Sequence, residues 1–223
     1  MKKGPYHGLQ DFFGMPLIQK AEELGYSPDN ILVLKGRMDV LKKEYPEIYN
    51  NIYTCVHNRD KRTHEEYAKD LVASWLFEDY IVNMIKNADF DVVLSGADKN
   101  RQILPNSKVK SSEDFEIRRR GMSIKLELAT DYFNYWSTKG CIDLRDDKYT
   151  RLKQSSSILL GISILDRYFF ILDFRGESIN ADFIPHHVPY GYKPAYRIVF
   201  KETSAKFYEL SKENMVEELL KIL

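Results

Sequence analysis

The chain has 223 residues, 43% of them apolar and 30% charged, with a formal net charge of zero. That length supports one domain with a real core, or a core plus an appendage, and the balance is too apolar for a disordered chain. A neutral chain does not coat nucleic acid nonspecifically, and no stretch approaches the roughly twenty apolar residues needed to cross a bilayer.

Met1, Lys2 and Lys3 run into Gly4 and Pro5 instead of a hydrophobic signal core, so a cytoplasmic protein with no membrane partner is expected. The first sixty residues read as helical. Ser27 before Pro28 is an N-cap with proline at the first helical position, Gly25 closes the preceding helix, and Gly36 and Pro46 break the next stretch into short helices. Thr63 and Glu66 then form a capping box, and Leu71, Trp75, Phe77, Tyr80, Ile81, Met84 and Ile85 recur at helical spacing. A long buried helix ending near Asn87 is predicted.

Beyond it the apolar period changes to two. DFDVVLSG (89–96) predicts a strand, and residues 97–110, with Asn100, Pro105 and Asn106, a loop. DFEIRRRG and MSIKLELA predict a tight antiparallel hairpin turning at Gly121. Residues 143–154 suit a charged helix with Asp143 near its start. SILLGISI and RYFFILDF predict a second hairpin turning at Leu165 and Asp166. Residues 181–200, rich in Pro, His and Tyr, lead into a short strand YRIVF, and Ser211 caps a terminal helix through Ile222. Cys55 and Cys141 lie far apart and outside any CxxC or Cys/His cluster, so reduced thiols and no zinc site are expected.

The first hairpin carries acids where strands bury hydrocarbon. Alternation puts Ile124, Leu126 and Leu128 on one face of the second strand and Ser123, Lys125, Glu127 and Ala129 on the other. On the preceding strand Asp114 and Glu116 share a face. Pairing across Arg120 and Gly121 brings Asp114 and Glu127 to the same end of the sheet. Two neighbouring carboxylates repel unless protonated or neutralised, and Mg²⁺ takes one or two such oxygens while keeping water and phosphate.

The order of elements over about residues 65–175 resembles the PD-(D/E)XK nuclease superfamily, which includes restriction endonucleases and Holliday-junction resolvases. The resemblance implies an α/β fold: a restriction-endonuclease-like mixed central β-sheet flanked by helices, here with a helical N-terminal region (1–62), a nuclease core (63–180) and a C-terminal extension (181–223) packed on it. It makes Asp114 of EDF the metal-binding Asp and Glu127 of ELA the acid of (D/E)xK. The carbonyl of Leu128 is implied as a further metal ligand, and Glu78 matches the helix acid that some members add. Where the family has its lysine, this chain has Ala129. Some members draw that lysine from the next helix, and RDDKYTRLK offers Lys148 first and Lys153 second, with Lys125 a third candidate.

The implied activity is Mg²⁺-dependent hydrolysis of double-stranded DNA, with Mn²⁺ substituting, by a homodimeric Type II restriction endonuclease. A Holliday-junction resolvase, or a catalytically inactive nucleic-acid-binding module on the same scaffold, are the alternatives. Arg118, Arg119, Arg120, Lys125 and Lys153 are the candidate DNA-backbone contacts. Each feature also has a plainer reading. Asp114 and Glu127 could be exposed acids on a hairpin, Glu78 a helix-surface acid, Lys148 and Lys153 members of a solvated face, and HHVPYGYKPAYR (186–197), readable as a DNA-contacting element with aromatic and basic groups interleaved, a proline-bent surface loop. No glycine-rich phosphate loop, nucleophile elbow or redox motif is present.

Overall fold

The computed structural model describes residues 74, 78, 81, 82, 84–86, 90–96, 99, 112–131, 133–176 and 179–223. The helices expected over 1–62, the capping box at Thr63 and Glu66, and the loop expected over 97–110, apart from Lys99, lie outside the described residues. The chain divides into two compact units, residues 1–83 with 97–111 and residues 84–96 with 112–223. In the first, Ser74, Glu78, Ile81 and Val82 are helical, and Ile81 is buried. No helix among the described residues is long and apolar enough to cross a membrane.

The second unit is built on a six-stranded sheet, ordered β1-β2-β3-β5-β6-β9. Its strands are β1 (Asp91–Leu94), β2 (Phe115–Arg119), β3 (Met122–Asp131), β5 (Ile158–Ser163), β6 (Tyr168–Asp173) and β9 (Phe207–Glu209). Every neighbouring pair is antiparallel except β3 and β5. A second sheet of three strands runs β4 (Cys141–Arg145), β8 (Lys193–Val199), β7 (Asp182–His187). Three helices accompany them: α1 (Tyr135–Lys139), α2 (Asp146–Ser155) and α3 (Lys212–Ile222). The fold is thus mixed α/β, with a mostly antiparallel central sheet flanked by helices.

Local chemistry explains the register that matters most. Arg120 and Gly121 have φ of 49° and 82°, the left-handed pair of a two-residue hairpin turn whose twist matches its strands. Arg119 therefore pairs with Met122, and the ladder runs to Phe115 opposite Leu126. Beyond the end of that ladder, Asp114 Oδ2 accepts from the Leu128 amide. β5 is buried along its whole length, as a central strand covered on both faces requires. The second predicted hairpin forms as β5 and β6, and Ser211 caps α3 by accepting from the Asn214 amide at 3.2 Å.

Two expectations need correcting. Asp143 does not start the charged helix; it lies in β4, and α2 begins at Asp146. CIDLR alternates, with Ile142 and Leu144 in the apolar core and Asp143 on the opposite face, so a strand buries it better than a helix would. Residues 181–200 are also more ordered than a loop. β7 is an edge strand that tolerates Pro185, and its register against β8 shifts between Ile184 and His187.

Asp143 ties the small sheet together. Arg197 donates to it through Nε at 2.8 Å and Nη2 at 2.9 Å, Tyr135 Oη donates at 2.7 Å, and His187 Nε2 lies 2.7 Å from Oδ2. Tyr190 Oη also donates to the Asp143 carbonyl at 2.6 Å. Burial alone would raise the carboxyl, but the hydrogen bonds from Arg197, Tyr135 and His187 outweigh it and hold it down to about 2. A folded value below the unfolded one of about 3.9 adds stability above that pH, and this contribution disappears as pH falls through the folded value. Asp143→Asn should therefore cost about 3 kcal/mol at neutral pH. The loss in urea unfolding should shrink as pH falls from about 4 towards 2, where the native carboxyl protonates.

Packing at the sheet centre leaves no slack. A Cβ built on Gly161 would meet Phe170 Cζ at 2.2 Å, and that ring is hemmed in by Trp136 at 5.1 Å and Phe200 at 4.8 Å. Gly161→Ala should lower stability by about 1–3 kcal/mol, read as a reduced urea midpoint at unchanged slope.

Candidate active site

Asp114 stands one residue before β2, fixed on both sides by backbone. Its carbonyl accepts from the Ser95 and Gly96 amides at 2.9 and 3.4 Å, carrying the β1–β2 pairing past Phe115. Ser95 Oγ donates to the Glu113 carbonyl at 2.7 Å. The Asp114 side chain then reaches across the hairpin, and its Oδ2 accepts from the Leu128 amide at 2.8 Å. That contact sets it against the peptide just beyond Glu127.

Glu127 lies on β3 and is 5% exposed, so the polar side of this strand, open to solvent at Ser123 and Lys125, is covered at Glu127. Helix α2 covers it. Lys148 Nζ is 2.8 Å from Glu127 Oε1, and Arg151 Nη2 is 2.8 Å from Oε2. The same Lys148 ammonium donates to the Leu128 carbonyl at 3.1 Å. Two cations at ion-pair distance offset the charge of a carboxylate that would otherwise be costly to bury, although Oε2 takes no hydrogen bond from the described residues.

The helix manages this by carrying two stripes. Lys148, Arg151 and Ser155 recur at intervals of three and four residues and so share one face. Tyr149 and Leu152 are buried in the apolar core, where Tyr149 stacks on Tyr196 with ring centroids 4.1 Å apart. The polar stripe continues to Glu113, also 5% exposed, whose Oε1 accepts from Ser155 Oγ and, at 2.9 Å, from Ser157 Oγ. Burial pushes the Glu113 carboxyl up, yet the Ser155, backbone and Ser157 hydrogen bonds, aided by Lys125, bring it below the ordinary value.

Of the residues singled out in the sequence, Lys148 brings together Glu127 and the Leu128 carbonyl, and Asp114 reaches the Leu128 amide of the same strand. The other two candidate lysines point elsewhere. Lys153 Nζ sits 5.4 Å from the Tyr149 ring centroid, and Lys125 is exposed opposite Glu116, with its Nζ 4.0 Å from Glu113. Ala129, at the motif-lysine position, packs against the apolar cluster of Trp136, Leu159 and Phe170, where an ammonium would be buried in hydrocarbon. Glu78 is 7% exposed on a helical segment of the other unit.

At the hairpin tip Arg118 is committed to Glu116 through two hydrogen bonds of 3.0 and 2.8 Å, and Arg119 lies 5.8 Å from the Phe90 ring centroid. Together with Arg120 they line an open cavity of about 620 Å³ beside Asp91 and Met122. Sequence reasoning missed Arg151, Ser155 and Glu113. Their signal was available as the helical spacing of Arg151 and Ser155 from Lys148.

No protein-family model matches the chain, and no curated protein sequence matches it. The chemistry of the site itself therefore carries the functional reading. Glu127→Gln and Arg151→Met, combined in a double-mutant cycle of unfolding free energies, should show a coupling of about 1–2 kcal/mol. A coupling near zero would mean that this ion pair does not hold α2 on β3.

Proposed function

We propose that this protein is a Mg²⁺-dependent endodeoxyribonuclease, with Asp114, Glu127 and the Leu128 carbonyl as metal ligands and Lys148 as the catalytic lysine, supplied from α2 in place of Ala129. The observation that carries the reading is the Lys148 ammonium itself. It gathers Glu127 Oε1 at 2.8 Å and the Leu128 carbonyl at 3.1 Å around one positive charge. Asp114 lies against the same stretch of backbone.

These are hard oxygen donors with two formal negative charges among them, a set that suits Mg²⁺ or Mn²⁺ and leaves coordination positions for water and phosphate. When bound, the metal polarises the scissile phosphate and lowers the pKa of the attacking water. Lys148 would donate a proton-bearing contact to a phosphate oxygen or to that water, offsetting the charge that builds on phosphorus. Ser95, Gly96 and Leu128 hold Asp114 in place through their amides, so its carboxylate needs no reorganisation to act. Arg118, Arg119 and Arg120 at the hairpin tip, with Lys125 and Lys153, would grip the DNA backbone.

Within this reading a homodimeric Type II restriction endonuclease fits a compact, neutral chain best. A Holliday-junction resolvase on the same scaffold would cut four-way junctions without sequence preference. Digestion of a plasmid of known sequence should give discrete bands with Mg²⁺ and none with EDTA. Asp114→Asn, Glu127→Gln and Lys148→Ala should each lower the rate at least about a hundredfold. A smear would remove the sequence specificity, and DNA that is bound but intact with Mg²⁺ would leave a binding module without catalysis.

A further inference from the structure

We propose that Lys148 is the resident counter-ion of its own metal site, and that a divalent cation enters by exchanging the ammonium off Glu127 and Leu128. The inference rests on the metal-site reading above and deepens it. An ammonium and a divalent ion compete for the same oxygens, and Lys148 occupies both Glu127 Oε1 and the Leu128 carbonyl.

Charge counting makes simultaneous occupancy unfavourable. Lys148 and Arg151 both pair with Glu127, so this one carboxylate already faces two positive charges. A dication placed on that carboxylate would add two more positive charges, with an ammonium at ligand distance from its own ligands. Removal of Lys148 from the shell relieves both problems.

The two cations are not equivalent in this exchange. Arg151 pairs through Nη2 with Oε2, the other oxygen of the carboxylate, so its charge stays on Glu127 while Oε1 turns to the metal. Lys148 is a point charge on a flexible four-carbon stem and is 22% exposed at its side chain, so it has a way out towards solvent. Tethered to α2, the released ammonium stays beside the site and becomes available to an anion there. Metal loading and lysine release are then one event, and the lysine is offered to a phosphate only when the cation is in place.

The test is a titration of the full chain with Mn²⁺ in the absence of DNA, followed by the electron paramagnetic resonance signal of free Mn²⁺. Lys148→Met and Lys148→Gln should each bind Mn²⁺ about tenfold or more tightly than the unchanged protein. Lys212→Met, which removes an exposed charge on α3, should leave the affinity unchanged. Glu127→Gln should abolish binding. Circular dichroism checks that each variant is folded, and either neutral Lys148 variant suffices if the other is not. Equal or weaker affinity in the folded Lys148 variants, with binding still lost in Glu127→Gln, overturns the exchange and leaves the metal site standing. Absence of Mn²⁺ binding in the unchanged protein and the Lys148 variants alike overturns both.

Discussion

The double contact that α2 makes with Glu127 is the constraint around which the site is organised. A carboxylate 5% exposed on a central strand is tolerable only with cations at hand, and Lys148 and Arg151 provide one for each oxygen. Because both come from the same helical face, they also fix how α2 lies across β3. The carbonyl of Leu128 is drawn into the arrangement by the same ammonium, and the amide of Leu128 anchors Asp114 from the other side. One short stretch of β3 thereby joins two acids and a lysine from three separate parts of the chain.

The rest of the second unit keeps that helix where it is needed. The chain leaves β3, forms α1, β4 and α2, and returns as β5 parallel to β3, so the helix belongs to the connection between the two central strands. Tyr149 and Leu152 bury its apolar stripe, and the Asp143 cluster anchors β4 immediately before it by tying Arg197, His187 and Tyr135 to one carboxylate. Loss of that cluster would be felt at α2 without any of its side chains touching Glu127. Glu113 does the same at the far end, where Ser155 and Ser157 hold the C-terminus of α2 close to the residue next to Asp114.

Much of this was legible in the sequence where local rules apply. Alternation with pairing across the turn put Asp114 and Glu127 at the same end of the sheet, and Arg120 with Gly121 supplied a turn that fixes the register by itself. Lys148 could be ranked above Lys153 only as the nearer of two lysines; the structure separates them, because Lys153 lies over the Tyr149 ring while Lys148 reaches β3. Non-local pairing was not legible. β4 is five residues long and one of them is an aspartate, so its strand character depends on β8, some fifty residues later in the chain. Arg151 escaped notice because a helix with so many charges reads as solvated until a buried acid is placed beneath it.

The proposed cation position is bounded by Asp114, Glu127 and the Leu128 carbonyl, of which the Lys148 ammonium now contacts Glu127 and the Leu128 carbonyl. Crystals of the protein grown with Mn²⁺ and measured at a wavelength where manganese scatters anomalously test it directly. The account predicts an anomalous peak within coordinating distance of Asp114, Glu127 and the Leu128 carbonyl, with the Lys148 ammonium moved off Glu127. An anomalous map with no peak there, and Lys148 still bridging Glu127 and Leu128, would contradict it.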